Sequence, residues 1–193
     1  AGDFYCMDGV PGNRGVWQRD EGQYDGEEYV LGACGAASAW RRRLFEDVGL
    51  FDESLFMYCE DVDLSLRAQL RGYRCLYLPK ARVYHRLSAT GGGETASYYC
   101  GRNLISVAVK NLPGVVLRRH WWALVRSQAN FAVESIRHYR EKAARARLRG
   151  QVAGLLEIPR RLRERSVIQK SRRVPDSYLI TLLREPEPSI ERW

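Results

Sequence analysis

The sequence predicts an α/β core that passes into a mostly α-helical tail. Short apolar runs of strand character alternate with amphipathic stretches over the first half, and from about Tyr98 only helical patterning continues. The charge changes sign at the same place. Residues 1–100 carry 11 Lys+Arg against 15 Asp+Glu, whereas residues 101–193 carry 20 against 8. An acidic half is therefore followed by a basic one, within a net charge of +8.

Taken in order, residues 1–27 are rich in Gly, Asp and Arg and read as loop with a short hairpin. The run 28–33, EYVLGA, is bounded by glycine and predicts a short buried strand. Residues 41–48 predict a helix stopped by Gly49, since glycine readily takes the left-handed conformation that ends helices. Residues 51–54 read as a turn. A second helix is expected over 60–71, with Leu66 and Leu70 four apart on one face and Gly72 beyond its end. The alternating run 73–78 predicts a strand that Pro79 stops, and 81–85 predicts another. Residues 88–93, SATGGG, read as a mobile loop. Helices are expected over 104–110, 120–140 and 145–173, with a break at Pro113-Gly114.

A hydrophobic content of 45% and a charged content of 28% are those of an ordinary globular chain. The five cysteines, Cys6, Cys34, Cys59, Cys75 and Cys100, are never closer than 16 residues, so no CxxC metal or redox motif exists. Isolated cysteines point to a reducing, cytoplasmic setting. No run reaches the roughly 18 apolar residues of a membrane-spanning helix. The basic half predicts contact with an anionic surface, either nucleic acid or phospholipid.

The cluster Glu60-Asp61-Val62-Asp63 falls in the first turn of its helix. Free N–H groups and the helix dipole favour carboxylates there, and such a carboxylate can take a proton from an attacking hydroxyl. Acidic residues also favour first turns for stability alone, and Asp63 with Arg67 makes an i,i+4 pair. His85 stands just before the glycine-rich loop, where an imidazole can ligate a metal or serve structure. Gly91-Gly92-Gly93 is not a phosphate-binding P-loop, because no Lys-Ser/Thr follows.

The ordered succession of segments carries more. Gly32-Ala33-Cys34-Gly35-Ala36-Ala37 is followed by Arg41-Arg42 and by Val48-Gly49-Leu50-Phe51-Asp52-Glu53. Then come Tyr58-Cys59-Glu60-Asp61-Val62-Asp63-Leu64-Ser65-Leu66-Arg67, Gly72-Tyr73 and Leu76-Tyr77-Leu78-Pro79. Val83-Tyr84-His85 with Ser88-Ala89-Thr90, then Gly101-Arg102-Asn103 and Lys110-Asn111-Leu112-Pro113, complete it. This succession resembles the second half of family 2 glycosyltransferases, especially the rhamnosyltransferase-like branch. The match is close over 28–112, looser over 1–27 and only broad in the tail.

The resemblance implies the C-terminal part of a GT-A fold, a Rossmann-like nucleotide-diphospho-sugar transferase domain. It places the acceptor-side half at 1–112 and a basic helical extension at 113–193. It implies inverting transfer of a sugar from a nucleotide-sugar donor to a glycan or lipid-linked acceptor, in polysaccharide synthesis. Asp61 is then the base, Glu60 orients the acceptor or shares the proton, and the two can exchange roles. Gly32, Ala33, Cys34 and Gly35 line the acceptor floor, Trp40 and Tyr58 offer aromatic faces, and Asp63 supports the site through Arg67. Arg102 is assigned to the donor diphosphate or to a helix start. His85 is assigned to a divalent cation, Mn²⁺ or Mg²⁺.

Family members bind the nucleotide with an N-terminal strand–helix half that ends in a DxD-type site. Asp3, Asp8, Asp20 and Asp25 lack its spacing, so that half is expected to lie upstream of this sequence. The 193 residues alone are then expected to bind nucleotide sugar weakly; micromolar binding by calorimetric titration with Mn²⁺ would refute this. Trp121-Trp122 beside Arg118, Arg119 and Arg126 suits an anionic membrane surface, at the inner face of the plasma membrane. A helix packed on the core with a solvated basic face explains the same residues. The arginines of 145–173 also raise nucleic acid, but no recognition motif accompanies them and no nucleic-acid partner is expected. A carboxylate hydrolase is a further reading, which adjacent acids on one helix turn serve poorly.

Overall fold

The computed structural model describes residues 1–85 and 92–186. Strand β1 (Asp3–Cys6) turns back into β2 (Pro11–Asn13) as an antiparallel hairpin, as the opening segment predicts. Strand β3 (Glu28–Val30) pairs antiparallel with β4 (Cys75–Tyr77). A bridge between Asp3 and Gly32, with Asp3 N–H donating to the Gly32 carbonyl at 2.9 Å, joins the two small sheets.

Between β3 and β4 lie helix α1 (Arg42–Val48) and helix α2 (Glu60–Leu70). Gly49 closes α1 at φ 83°, the left-handed geometry that glycine takes without steric cost. Leu66 and Leu70 of α2 enter the main core with Tyr5, Leu31, Leu104 and Leu112. Leu44 of α1 packs on Leu64 and Ala68 in a smaller cluster. The strand expected over 28–33 is shorter and half open to solvent, because β3 lies at an edge of its two-stranded sheet. The strand expected over 81–85 does not form: these residues are exposed and have no regular structure. An edge without a pairing partner cannot satisfy a strand's N–H and C=O groups except with water. Of the expected loop 88–93, residues 88–91 lie outside the described residues.

Helix α3 (Gly93–Asn111) starts well before the expected residue 104. Helix α4 (Gly114–Arg137) follows the Pro113 break, then α5 (Lys142–Lys170) and α6 (Asp176–Leu182). Helix α5 continues through Pro159 and lies along α3. The approach is close because of glycines: a Cβ on Gly150 would lie 2.1 Å from the Tyr98 carbonyl oxygen, and one on Gly101 2.5 Å from that of Arg147. Gly154, one turn beyond Gly150, would meet the Arg102 oxygen at 2.8 Å. Strand β5 (Leu183–Arg184) then pairs parallel with β1, so the last described residues return to the first strand. No helix among the described residues is long and apolar enough to cross a membrane.

Candidate active site

Helix α2 presents its acidic N-terminus at the end of β3. Asp61 Oδ2 accepts from Gly35 N–H at 2.8 Å, and Asp61 Oδ1 accepts from Val62 N–H at 2.8 Å. Glycine is required close by. A Cβ on Gly32 would lie 2.4 Å from Ser65 Oγ of α2, so only glycine lets the helix seat this near the strand. Ala33 and Cys34 lie half-buried beside it, and Cys34 starts the short 3₁₀ turn Gly35–Ala37. The predicted floor, Gly32 to Gly35, and Asp61 therefore meet.

Glu60 is partly buried, and among the described residues its Oε2 has no hydrogen-bond partner. Burial, with Asp61 beside it, pushes its carboxyl above the usual range. The loop before α2 is held in an unusual backbone: Phe56, Tyr58 and Cys59 take φ of 64°, 64° and 65°. Such geometry in non-glycine residues costs of order 1–3 kcal/mol each and persists only where the surroundings enforce it. Asn103 enforces it here: its Nδ2 lies 3.0, 2.9 and 2.7 Å from the carbonyl oxygens of Leu55, Met57 and Tyr58.

Arg102 adds to that brace. Its Nη2 donates to the carbonyls of Ser54 and Leu55 at 2.6 and 3.0 Å, and Tyr98 and Tyr99 flank its guanidinium. The geometry thus turns Arg102 toward the loop, which it holds. Tyr58 is half-buried with its carbonyl in the Asn103 clamp. Trp40 packs against Phe45 and Phe51, its Nε1 donating to Ser38 Oγ at 2.9 Å. It belongs to the smaller core cluster and offers little open ring face.

Asp63 is fully buried, at the centre of a charge network. Arg67 Nε donates to it at 2.8 Å, Asn111 Nδ2 at 2.7 Å, and Lys110 Nζ lies 3.0 Å away. Lys110 also reaches Asp52 at 2.6 Å, and Asp52 meets the buried Arg161 of α5 at 3.1 Å. Arg67 further donates to the Val48 and Leu50 carbonyls. The motif segments at 48–53, 60–67 and 110–111 are thus tied together around Asp63, as the i,i+4 pairing with Arg67 anticipates.

One group escaped the sequence reading. Asp3 on β1 is buried, accepts from Asn13 Nδ2 at 2.6 Å, and interacts electrostatically with Asp61. Burial first, and the Asp61 charge second, push its pKa up to about 6. The signal available in the sequence was a lone acid opening an aromatic strand, which carries nothing until Gly32 and Asp61 are beside it. The folded pKa exceeds the unfolded one, so the folded state binds the extra proton between about pH 4 and 6 and loses stability as pH rises through that window. Asp3→Asn is therefore expected to stabilise the fold at pH 7, by up to ~3 kcal/mol for a shift of about two units, read as a higher melting temperature. The gain should vanish near pH 3.5; an equal gain at both pH values would show that the carboxyl's charge is not the cause.

His85 is exposed in an irregular segment. Among the described residues no group of three or more His, Cys, Asp or Glu is disposed to hold a metal ion. These residues do not by themselves form a metal cage.

With this geometry in place, the comparison with known proteins is informative. The model of the family described as "Glycosyltransferase like family 2" matches residues 16–103, which include β3, α1, α2 and β4. The likeness to glycosyltransferase family 2 rests on this segment. It is 31% identical over 157 residues to the N-acetylglucosaminyl-diphospho-decaprenol L-rhamnosyltransferase of Mycobacterium tuberculosis (strains CDC 1551 / Oshkosh and ATCC 25618 / H37Rv). That alignment covers 80% of this chain and 42% of the relative. It is also 49% identical over 41 residues to rhamnosyltransferase WbbL of Escherichia coli K12, covering 21% of this chain and 16% of that protein. The chain thus spans well under half the length of the curated relatives it matches. No solved structure matches it.

Proposed function

We propose that this chain is the acceptor-side part of an inverting, GT-A type glycosyltransferase acting on a nucleotide-sugar donor. The observation that carries the reading is the Asp61 carboxylate, fixed by Gly35 N–H at the end of β3 with Asp3 and Glu60 close by. In this reading Asp61 takes the proton of the acceptor hydroxyl as its oxygen forms the bond to the anomeric carbon. The bond from that carbon to the nucleoside diphosphate breaks on the opposite face, and the diphosphate leaves with the electron pair. Inversion follows from that single displacement. Glu60, whose carboxyl burial pushes above its usual range, orients the acceptor or shares the proton. Gly32 to Gly35 form the floor on which the acceptor rests.

Residues 1–112 form the reacting unit in this proposal, and 113–193 a helical extension that braces it through Arg161 and Asp52. A divalent cation, Mn²⁺ or Mg²⁺, would neutralise the leaving diphosphate, with His85 as this chain's contribution to its ligands. The relatives' printed names support a rhamnosyl donor and a polyprenol-linked acceptor, hence a place in polysaccharide assembly at the inner membrane face. Acceptor-dependent release of nucleoside diphosphate tests the reading; release that ignores the acceptor would indicate hydrolysis instead.

A lipid-linked acceptor requires the enzyme at a bilayer. On α4 the exposed Trp122, Val125, Val133 and Ile136 form one stripe, flanked by Arg118, Arg119, Arg126 and Arg137. Trp121 and Trp122 remain 57% and 60% exposed. Tryptophans settle at headgroup depth and arginines attract anionic lipid. Cosedimentation with phosphatidylglycerol vesicles is expected to weaken with salt and to fall at least fivefold in W121S/W122S. Unchanged binding by that variant would remove α4 from the contact.

A further inference from the structure

At the other end of the tail helices is a cavity of about 520 Å³ that the reaction above does not use. Gly114, Val115 and Arg118 of α4 line it with Leu162, Arg165, Ser166, Gln169 and Lys170 of α5, and Arg172 and Asp176 complete it. Four of these side chains are cationic and one is acidic. The single acid is already engaged, since Arg172 Nη1 donates to Asp176 Oδ1. Among the described residues Arg118 and Lys170 have no carboxylate partner.

The cations converge. A Cβ added to Gly114 would lie 3.4 Å from Arg118 Nη1 and 3.6 Å from Arg165 Nη2, so two guanidinium groups stand over the first residue of α4. That helix has 24 residues, no side-chain N-cap and no acid in its first turn. Its leading N–H groups and dipole add positive potential at the same point. Arg165 is anchored to the Val109 and Leu112 carbonyls through Nη1, which leaves Nη2 directed at the cavity. Burial pushes the Arg165 pKa down, with the Arg172 charge acting the same way against the pull of Asp176. Like charges held this close, beside a helix N-terminus, gain most from an anion placed between them.

We propose that this cavity binds a phosphate group through Arg118, Arg165, Lys170 and the N-terminus of α4. The site is separate from the acidic end of α2: the neighbouring segment is tied to the opposite end of that helix, through Arg173 N–H to the Leu70 carbonyl at 2.9 Å. Two sources present this chemistry, a free diphosphate and the headgroup of an anionic lipid. Arg118 stands one helical turn before Trp122, so a headgroup held in the cavity belongs to the same surface as the apolar stripe of α4.

The test titrates inorganic pyrophosphate into the full chain by calorimetry and, separately, measures cosedimentation with phosphatidylglycerol–phosphatidylcholine vesicles. Both are repeated on R118Q/K170Q, whose replaced side chains make no hydrogen bond in the structure, so its melting temperature without ligand should match that of the parent. Binding of at least one probe is expected to weaken tenfold or more in the variant. Saturable pyrophosphate binding that is lost identifies a free diphosphate; vesicle binding alone that is lost identifies a headgroup. If neither probe binds, or both bind the variant as well as the parent, the proposal is overturned. D61N should leave either binding intact, which separates this site from the transfer reading.

Discussion

Under the proposed transfer reading, Asp61→Asn is expected to lower acceptor-dependent sugar transfer by about 10²–10⁴-fold, the range for loss of a positioned general base. An amide of the same shape keeps an oxygen for the Gly35 N–H, so the end of β3 should stay in place. The change in folding stability should be within about 1 kcal/mol, the worth of one net hydrogen bond. Nucleoside diphosphate release and thermal unfolding, measured on the same preparation, separate the two effects. A variant that transfers at the parent rate would remove Asp61 from the role of base. Glu60→Gln is the companion, since Glu60 stands beside Asp61 and burial raises its pKa.

Lys110→Met should destabilise the fold by about 3–5 kcal/mol, the usual range for leaving one partner of a buried pair without its counter-charge. Lys110 is nearly buried and stands between the fully buried Asp63 and Asp52. Removing it leaves Asp63 with Arg67 and Asn111 alone, and Asp52 with Arg161 and Ser54. The urea midpoint is the readout, and a loss below about 1 kcal/mol would mean that Arg67 and Arg161 carry the network unaided. The pH dependence supplies a second check. Burial alone would raise Asp52, but hydrogen bonds from Lys110 and Ser54 and the charges of Lys110 and Arg161 outweigh it and hold its carboxyl below the ordinary range. Its folded pKa is thus lower than its unfolded one. The stability it adds is present above about pH 4 and is lost as pH falls further, and Lys110→Met should shrink that acid sensitivity.

These two residues show how differently the parts of the site were legible. Asp61 and Gly35 are 26 positions apart, yet each stood in a segment whose order and spacing marked it. Asp63 was equally visible as an acid paired with Arg67, but the rest of the network around it was not. Whether a carboxylate faces an acceptor or sits at the centre of a buried network depends on Lys110 and Asn111 of α3 and, through Asp52, on Arg161 of α5. Asp52 and Arg161 are 109 residues apart, beyond any local pattern. Arg102 is a similar case. As a residue type it suits a diphosphate or a helix start; its hold on the Ser54 and Leu55 carbonyls, 48 and 47 positions away, is set by the fold alone.

The sequence by itself determined the local elements whose signals lie within a few residues: the hairpin of β1 and β2, the stop of α1 at Gly49, and helix α2 with its acidic first turn. It also carried the likeness to glycosyltransferase family 2, because the order of motif segments survives in the chain whatever its shape. Only the tertiary structure decided that 81–85 forms no strand, that β5 returns to β1, and that glycines on α3 and α5 let those helices touch. It alone brought Asp3 to Asp61. The reason is physical: periodicity and caps act over one or two turns, whereas burial, like-charge proximity and strand pairing are set by neighbours that only folding supplies.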